Sequence, residues 1–231
     1  MPLVEHLAEL RRRLIISVIA IAVGGLVAFF LYNWILRLLI EPYTDLTGKD
    51  QLVFTDPLEG LTTRLKISAY GGLLLASPVV LWQFWRFITP GLHKNEKRYA
   101  IPFILASIFL FLLGAFVALL TFKPALNFLI SMGGPNLETF FTASKYLGLV
   151  TLMMIAFGLA FEFPIVLIFL EIAGVVTSQR LRKWRRPALV IIVAGAAIIT
   201  PSGDPYSLFA MAVPMYLFFE GAILVGRLLK K

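Results

Sequence analysis

PALVIIVAGAAIITPSGDPYSLFAMAVPMYLFFEGAILVG, Pro187–Gly226, decides whether this chain ends in one apolar segment or in two. Its middle, TPSGDP, Thr200–Pro205, holds two prolines and a glycine. Proline lacks the N–H that a helix needs and clashes with the preceding turn, so no helix continues through this segment in lipid. The stretch reads as a hairpin of two helices, Pro187 to Thr200 and Tyr206 to Gly226. The first arm is the weak one, because about 14 residues at 1.5 Å each make ~21 Å against a hydrocarbon core of ~30 Å. Either the bilayer thins beside it or the tip is drawn into the membrane.

Four stretches upstream are long enough without such an allowance: Leu14–Leu36, Leu61–Ile88, Ala100–Phe122 and Tyr146–Ile172. With 59% hydrophobic and 15% charged residues among 231, and a mean hydropathy of +0.88, the chain is far more apolar than a soluble domain, which carries about 25% charge. The expectation is an all-α integral membrane protein, one domain over residues 1–231, with spans at 14–36, 61–88, 100–122, 146–172, 187–200 and 206–226. Basic residues test the count. Arg11, Arg12 and Arg13 precede the first span; Arg86, Lys94, Lys97 and Arg98 flank the second and third; Arg180, Arg182, Lys183, Arg185 and Arg186 lie between the fourth and fifth; Arg227, Lys230 and Lys231 follow the sixth. Fifteen of the 21 Lys and Arg thus fall on one side, which predicts cytoplasmic termini and an even number of spans. The same pattern explains the formal charge of +8 as orientation in a bilayer, not nucleic-acid binding. The apolar run after Arg13 exceeds a signal-peptide core and lacks a small-residue cleavage pattern, so it is expected to stay in the mature protein. The outer connections, Glu41 to Glu59 and Lys123 to Lys145, are rich in Pro, Gly, Thr and Asp and read as ordered caps.

Few parts for an enzyme are present. The two histidines, His6 and His93, have no metal-ligand partners at suitable spacing, there is no cysteine, and no GxSxG, HExxH or phosphate-binding glycine loop occurs. No catalytic centre, metal or cofactor is expected. The informative residues are acids. Glu162, in AFEFPIV, falls inside the fourth span, where an ionisable group is costly unless it is paired, hydrated or neutral. It is either a functional group or a carboxyl satisfied by a neighbouring backbone atom or by water near Pro164. Glu220 is placed to pair with a basic residue near the inner end of the sixth span. Leu3, Leu7, Leu10 and Leu14 form an amphipathic stripe, so the N-terminal segment should be a helix against the membrane or a neighbouring span. On it, Glu9 and Arg13 are four apart in the favourable order for a helix ion pair. Glu96, among Arg86, His93, Lys94, Lys97 and Arg98, suits the first turn of a helix capped by Asn95. Glu5, Glu9 and Glu96 are nonetheless the clear acids on a strongly basic face, and would set where a cationic ligand docks. Arginine fits them better than lysine, because its planar fork makes two parallel bonds to one carboxylate.

EHLAELRRRLI (Glu5–Ile15), SPVVLWQFWRFITPGLHKNEKR (Ser77–Arg98), FGLAFEFPIV (Phe157–Val166) and ITPSGDPYSLFAMAVPMYLFFE (Ile199–Glu220) together resemble the motifs of the TatC family, the large multi-spanning subunit of the twin-arginine protein translocase. The resemblance runs over nearly the whole chain in the family's order. It implies a curved six-span fold in a bacterial or archaeal cytoplasmic membrane, with short fifth and sixth spans. It also implies that Glu9 and Glu96 receive the paired arginines of a signal peptide, with Arg11 and Phe87 close by. Pro42, in IEPY, matches a position in the first outer loop, Glu162 the polar residue on the concave membrane face, and Asp204 the acid at the outer tip between the last spans. The implied partners are twin-arginine signal peptides of folded cargo, TatA- and TatB-type single-span subunits, further copies of the chain and the lipid bilayer, with the proton-motive force as energy source. Read from the residues alone, the main rival is a proton-coupled small-solute transporter using Glu162 as relay; such folds usually show paired repeats with broken helices, and none is found.

Overall fold

The computed structural model describes residues 3–49, 51–88, 100–134 and 140–228. These form helices α1 (Leu3–Phe30), α2 (Tyr32–Thr47), α3 (Glu59–Ile88), α4 (Ala100–Met132), α5 (Ala143–Ala160), α6 (Phe163–Ile172), α7 (Ser178–Lys183), α8 (Arg185–Ile199) and α9 (Pro205–Leu228). Five segments are long and apolar enough to cross a membrane: Glu5–Phe30, Glu59–Ile88, Ile101–Met132, Ala143–Ile172 and Pro205–Arg227. The remaining apolar helix, α8, has 15 residues, or ~22 Å of rise. The sixth expected span is different: α9 has 24 residues, ~36 Å, so the shortness expected of both arms of the hairpin holds only for the first.

The amphipathic N-terminal segment and the first span are one continuous helix, and the segment lies against α3 instead of standing apart. That helix stops at Phe30, earlier than hydropathy suggested. Arg64 of α3 explains the stop: its Nη2 donates to the Phe29 carbonyl at 3.4 Å, and its guanidinium lies over the Phe29 ring at 4.3 Å and the Tyr32 ring at 5.0 Å. A cation at a helix C-terminus meets the carbonyls left without partners. Burial raises the Tyr32 phenol above its ordinary value, and Arg64 partly opposes the shift. The chain then turns into α2, which ends at Gly48, a residue with φ 66° whose N–H donates to the Thr44 carbonyl.

Helices α1 and α3 cross at bare backbone. A Cβ on Gly72 would lie 2.5 Å from the Gly25 nitrogen, and one on Gly24 would lie 2.7 Å from the Gly72 carbonyl oxygen. In lipid, where apolar side chains gain little by leaving their solvent, such close approach is what holds helices together. α4 packs against α3, α5 and α9, and α3 also meets α5. It runs through Pro124 to Met132, so the expected outer connection after Phe122 begins as helix. The other side of that cap is tied down too: Val53 N–H donates to the Phe141 carbonyl at 3.3 Å and Ala143 N–H to the Val53 carbonyl at 3.1 Å. Beneath it sits an aromatic knot of Tyr43, Phe122, Phe141 and Tyr146, with Tyr146 Oη donating to the Leu39 carbonyl at 2.9 Å. The fourth expected span breaks at Phe161–Glu162 into α5 and α6, because Pro164, in the first turn of α6, has no N–H to return to the preceding turn.

Candidate functional site

The first turns of α1 and the last turns of α3 run antiparallel and enclose a groove of about 540 Å³. Glu9, Arg12, Arg13 and Ile16 line it from α1, and Gln83 and Arg86 from α3. Spacings of three and four residues put the α1 group on one helix face. Arg13 donates to Glu9 Oε1 from Nε at 3.0 Å and from Nη2 at 2.5 Å, while its Nη1 donates to Gln83 Oε1 at 3.1 Å. The ion pair expected from spacing is present, and it is well shielded, with the Arg13 side chain 17% exposed and that of Glu9 23%. Arg13 is therefore a clamp between the helices as well as the partner of Glu9.

Arg11 is exposed, two residues from Glu9 and on another face, and does not line this groove; Arg12 does. Phe87 stacks on His6, with ring centroids 4.4 Å apart, and His6 lies one turn before Glu9; neither ring lines the groove. Glu96 lies outside the described residues.

The second polar centre is Glu162. It occupies the break between α5 and α6, and its Oε2 accepts a hydrogen bond from Ser107 Oγ of α4 at 2.6 Å. Ser107 Oγ in turn accepts from Trp85 Nε1 of α3 at 2.8 Å. Glu162 Oε1 is buried and finds no hydrogen-bond partner among the described residues. The carboxyl lines a groove of about 530 Å³ whose other residues, among them Leu152, Ile155, Leu159, Ile199 and Met215, are all apolar. An uncompensated polar atom in such surroundings is costly. Sequence reading singled out Glu162 but missed Ser107, a lone hydroxyl in the apolar run of α4. Trp85 behind it is 2% exposed and packs on Phe169.

Two other expected positions prove to be structural in their surroundings. Pro42 is buried inside α2, not in a loop. It leaves the Leu38 carbonyl without its helical donor, one residue from the Leu39 carbonyl that Tyr146 holds. Asp204 is 1% exposed and caps α9: its Oδ1 accepts the Ser207 N–H at 2.8 Å, Ser202 donates to its Oδ2, and Pro205 occupies the first helical position. Glu220 pairs with Arg185 at 2.5 Å, as its position suggested. Glu59, 6% exposed, had attracted no attention; it accepts N–H bonds from Thr55 at 2.7 Å and Ser144 at 2.9 Å, and so ties the start of α3 to the start of α5. Among the described residues no group of His, Cys, Asp and Glu is arranged to hold a metal ion.

Comparison with known proteins agrees with this layout. Residues 5–214 match the family model described as Sec-independent protein translocase protein (TatC). The Sec-independent protein translocase protein TatC of Aquifex aeolicus is 42% identical, over 99% of this chain and 95% of its own length. That of Frankia casuarinae is 40% identical over 99% of this chain, which spans 66% of the longer relative. A crystal structure of a twin arginine translocase receptor, TatC, superposes with a TM-score of 0.79 at 40% identity, covering 98% of this chain and 100% of that one. A second, in DDM, gives 0.80 at 41% identity, covering 96% and 99%. This chain belongs to the TatC family of Sec-independent protein translocase proteins.

Proposed function

We propose that the chain is the receptor for twin-arginine signal peptides and the core subunit of a translocase that exports folded proteins across a bacterial or archaeal cytoplasmic membrane. In this reading the basic end of the helix bundle, with both termini, is cytoplasmic, and α8 makes a short fifth crossing beside a thinned bilayer. The observation that carries the reading is the Glu9–Arg13 pair: the groove already holds a guanidinium against Glu9 at hydrogen-bond distance. A signal-peptide arginine enters by exchange. It takes over the carboxylate from Arg13, whose head swings toward water, while the second arginine meets Glu96. The exchange makes Glu9 worth less to the ligand than the roughly 1.5–3 kcal/mol of a fresh charge-assisted bond, because one bond of the same kind is given up. The apolar part of the peptide then lies along the membrane face of the bundle. Glu162 offers the polar contact in that face, either to a single-span TatA- or TatB-type helix or to water that weakens the bilayer. The proton-motive force supplies the energy.

The test is a titration of the protein in nanodiscs with a labelled twin-arginine peptide and its twin-lysine counterpart, repeated with Glu9→Ala and Glu96→Ala. Selective binding of the arginine peptide, weakened in both variants, is the expected result. Equal binding of both peptides, indifferent to either substitution, would leave Glu9 as a helix salt-bridge partner and remove the receptor role from this groove.

A further inference from the structure

We propose that Ser107 and Trp85 are positioning residues that fix one oxygen of the Glu162 carboxylate and leave the other, the buried Oε1, outside their hydrogen-bond chain. The inference rests on the reading that Glu162 takes part in transport. Most hydroxyls in these helices turn back on their own backbone: Ser68 donates to the Arg64 carbonyl, Thr121 to Val117, Thr151 to Leu147 and Thr200 to Ala196, each four residues earlier. That is the ordinary fate of a hydroxyl inside a helix. Ser107, fully buried, instead donates across to Glu162 on a different helix pair. Trp85 explains why. An indole N–H can only donate, so at 2.8 Å it fills an acceptor position on Ser107 Oγ, and the one hydroxyl proton is left to point at Glu162 Oε2.

Glu162 sits where the helix is interrupted, and a glutamate there has several freely turning bonds to immobilise before it can serve a partner. The Trp85–Ser107 chain immobilises it in advance, without spending a backbone bond. Because the chain reaches only Oε2, the atom left without a partner among the described residues is Oε1, on a side chain that lines the apolar groove. Three helices, α3, α4 and the α5–α6 break, thereby converge on one carboxyl group.

The experiment measures export of a twin-arginine reporter in cells whose only copy of this subunit is the wild type, Ser107→Thr, Ser107→Val, Trp85→Phe or Glu162→Ala, with membrane levels and melting temperature recorded for each. Threonine and valine have the same shape and differ in the hydroxyl, so the comparison removes packing from the result. Expected are near-normal export with Ser107→Thr and a loss of about three- to tenfold with Ser107→Val and with Trp85→Phe, at equal protein levels. If Glu162→Ala abolishes export but the valine variant matches the threonine one, and Trp85→Phe is also normal, the positioning role is refuted while the role of Glu162 stands. Normal export by Glu162→Ala would instead overturn the reading on which this inference rests, and the inference with it. Should the valine variant fail to accumulate, Trp85→Phe alone decides.

Discussion

Replacing Arg13 with glutamine should tighten the binding of a twin-arginine peptide, although it removes a residue from the proposed site. Arg13 is the resident guanidinium on Glu9, with both of its bonds falling on Oε1, and any incoming arginine has to displace it. A pair four residues apart on an exposed helix is worth about 0.3–0.5 kcal/mol, and the shielding of this one raises the figure to about 1 kcal/mol. Removing the competitor therefore predicts a two- to fivefold lower Kd. Glutamine keeps a polar tip within reach of Gln83, so the tie between α1 and α3 is not simply deleted. The loss of one positive charge also favours a cationic peptide, but that contribution is screened over about 8 Å at physiological salt. Arg12→Gln removes the same charge from the same groove and serves as the control. In a peptide titration at low and at high salt, the gain from Arg12→Gln should fade with salt, whereas that from Arg13→Gln should persist. If Arg13→Gln weakens binding at both salt concentrations with an unchanged melting temperature, exchange is wrong, and the intact Glu9–Arg13 unit is what the peptide recognises.

Other substitutions probe the frame around this site. Gly72→Ala should destabilise the protein by about 1–3 kcal/mol in a detergent melt, since the added Cβ meets the Gly25 nitrogen at 2.5 Å, while Gly25→Ala, whose Cβ would stand 3.6 Å from the Ser68 carbonyl oxygen, should be far milder. Equal melting temperatures would show that the α1–α3 crossing is looser than described. Asp204→Ala should cost about 0.5–2 kcal/mol through the lost cap of α9, and Asp204→Asn, which still accepts the Ser207 bond, should export normally. Loss of export by the asparagine variant would give Asp204 a role beyond capping. Glu59→Ala leaves the N–H groups of Thr55 and Ser144 without their acceptor, so it should open the joint between α3 and α5 to limited proteolysis in intact nanodiscs; Glu59→Gln, whose single amide oxygen can accept only one of the two bonds, should restore part of the protection.

What could be read in advance divides along a physical line. Apolar length located the helices because burial in lipid is a property of each stretch by itself, and the break at TPSGDP followed from proline chemistry alone. Helix ends were misplaced where they depend on a partner. Phe30 is a terminus because Arg64 meets the Phe29 carbonyl, and α4 passes Phe122 because a helix that leaves the bilayer keeps its backbone bonds, that of Pro124 apart. Glu9 shows a subtler limit. Its spacing to Arg13 predicted the salt bridge, its place on a basic face predicted a docking site, and these looked like rival explanations. The structure shows the salt bridge, and the proposed exchange would join the two, since a carboxylate that holds one guanidinium has the shape to accept another.

Glu162 carries the argument furthest. Its position in an apolar run marked it as costly, but its cost is set by atoms that no local pattern contains: Ser107, 55 positions away, and Trp85 behind it, 22 positions from Ser107. A serine among phenylalanines and leucines has no periodicity or motif to distinguish it from one bonded to its own helix. Only convergence of α3, α4 and the α5–α6 break turns that hydroxyl outward. The carboxyl is then half satisfied: one oxygen anchored, the other buried with no partner among the described residues. A fully satisfied group would be a structural link, and an entirely unsatisfied one would be too costly to keep in a membrane. Half-satisfaction is the state that persists and still has something to gain from a donor, which is what the proposed contact with a partner helix would supply.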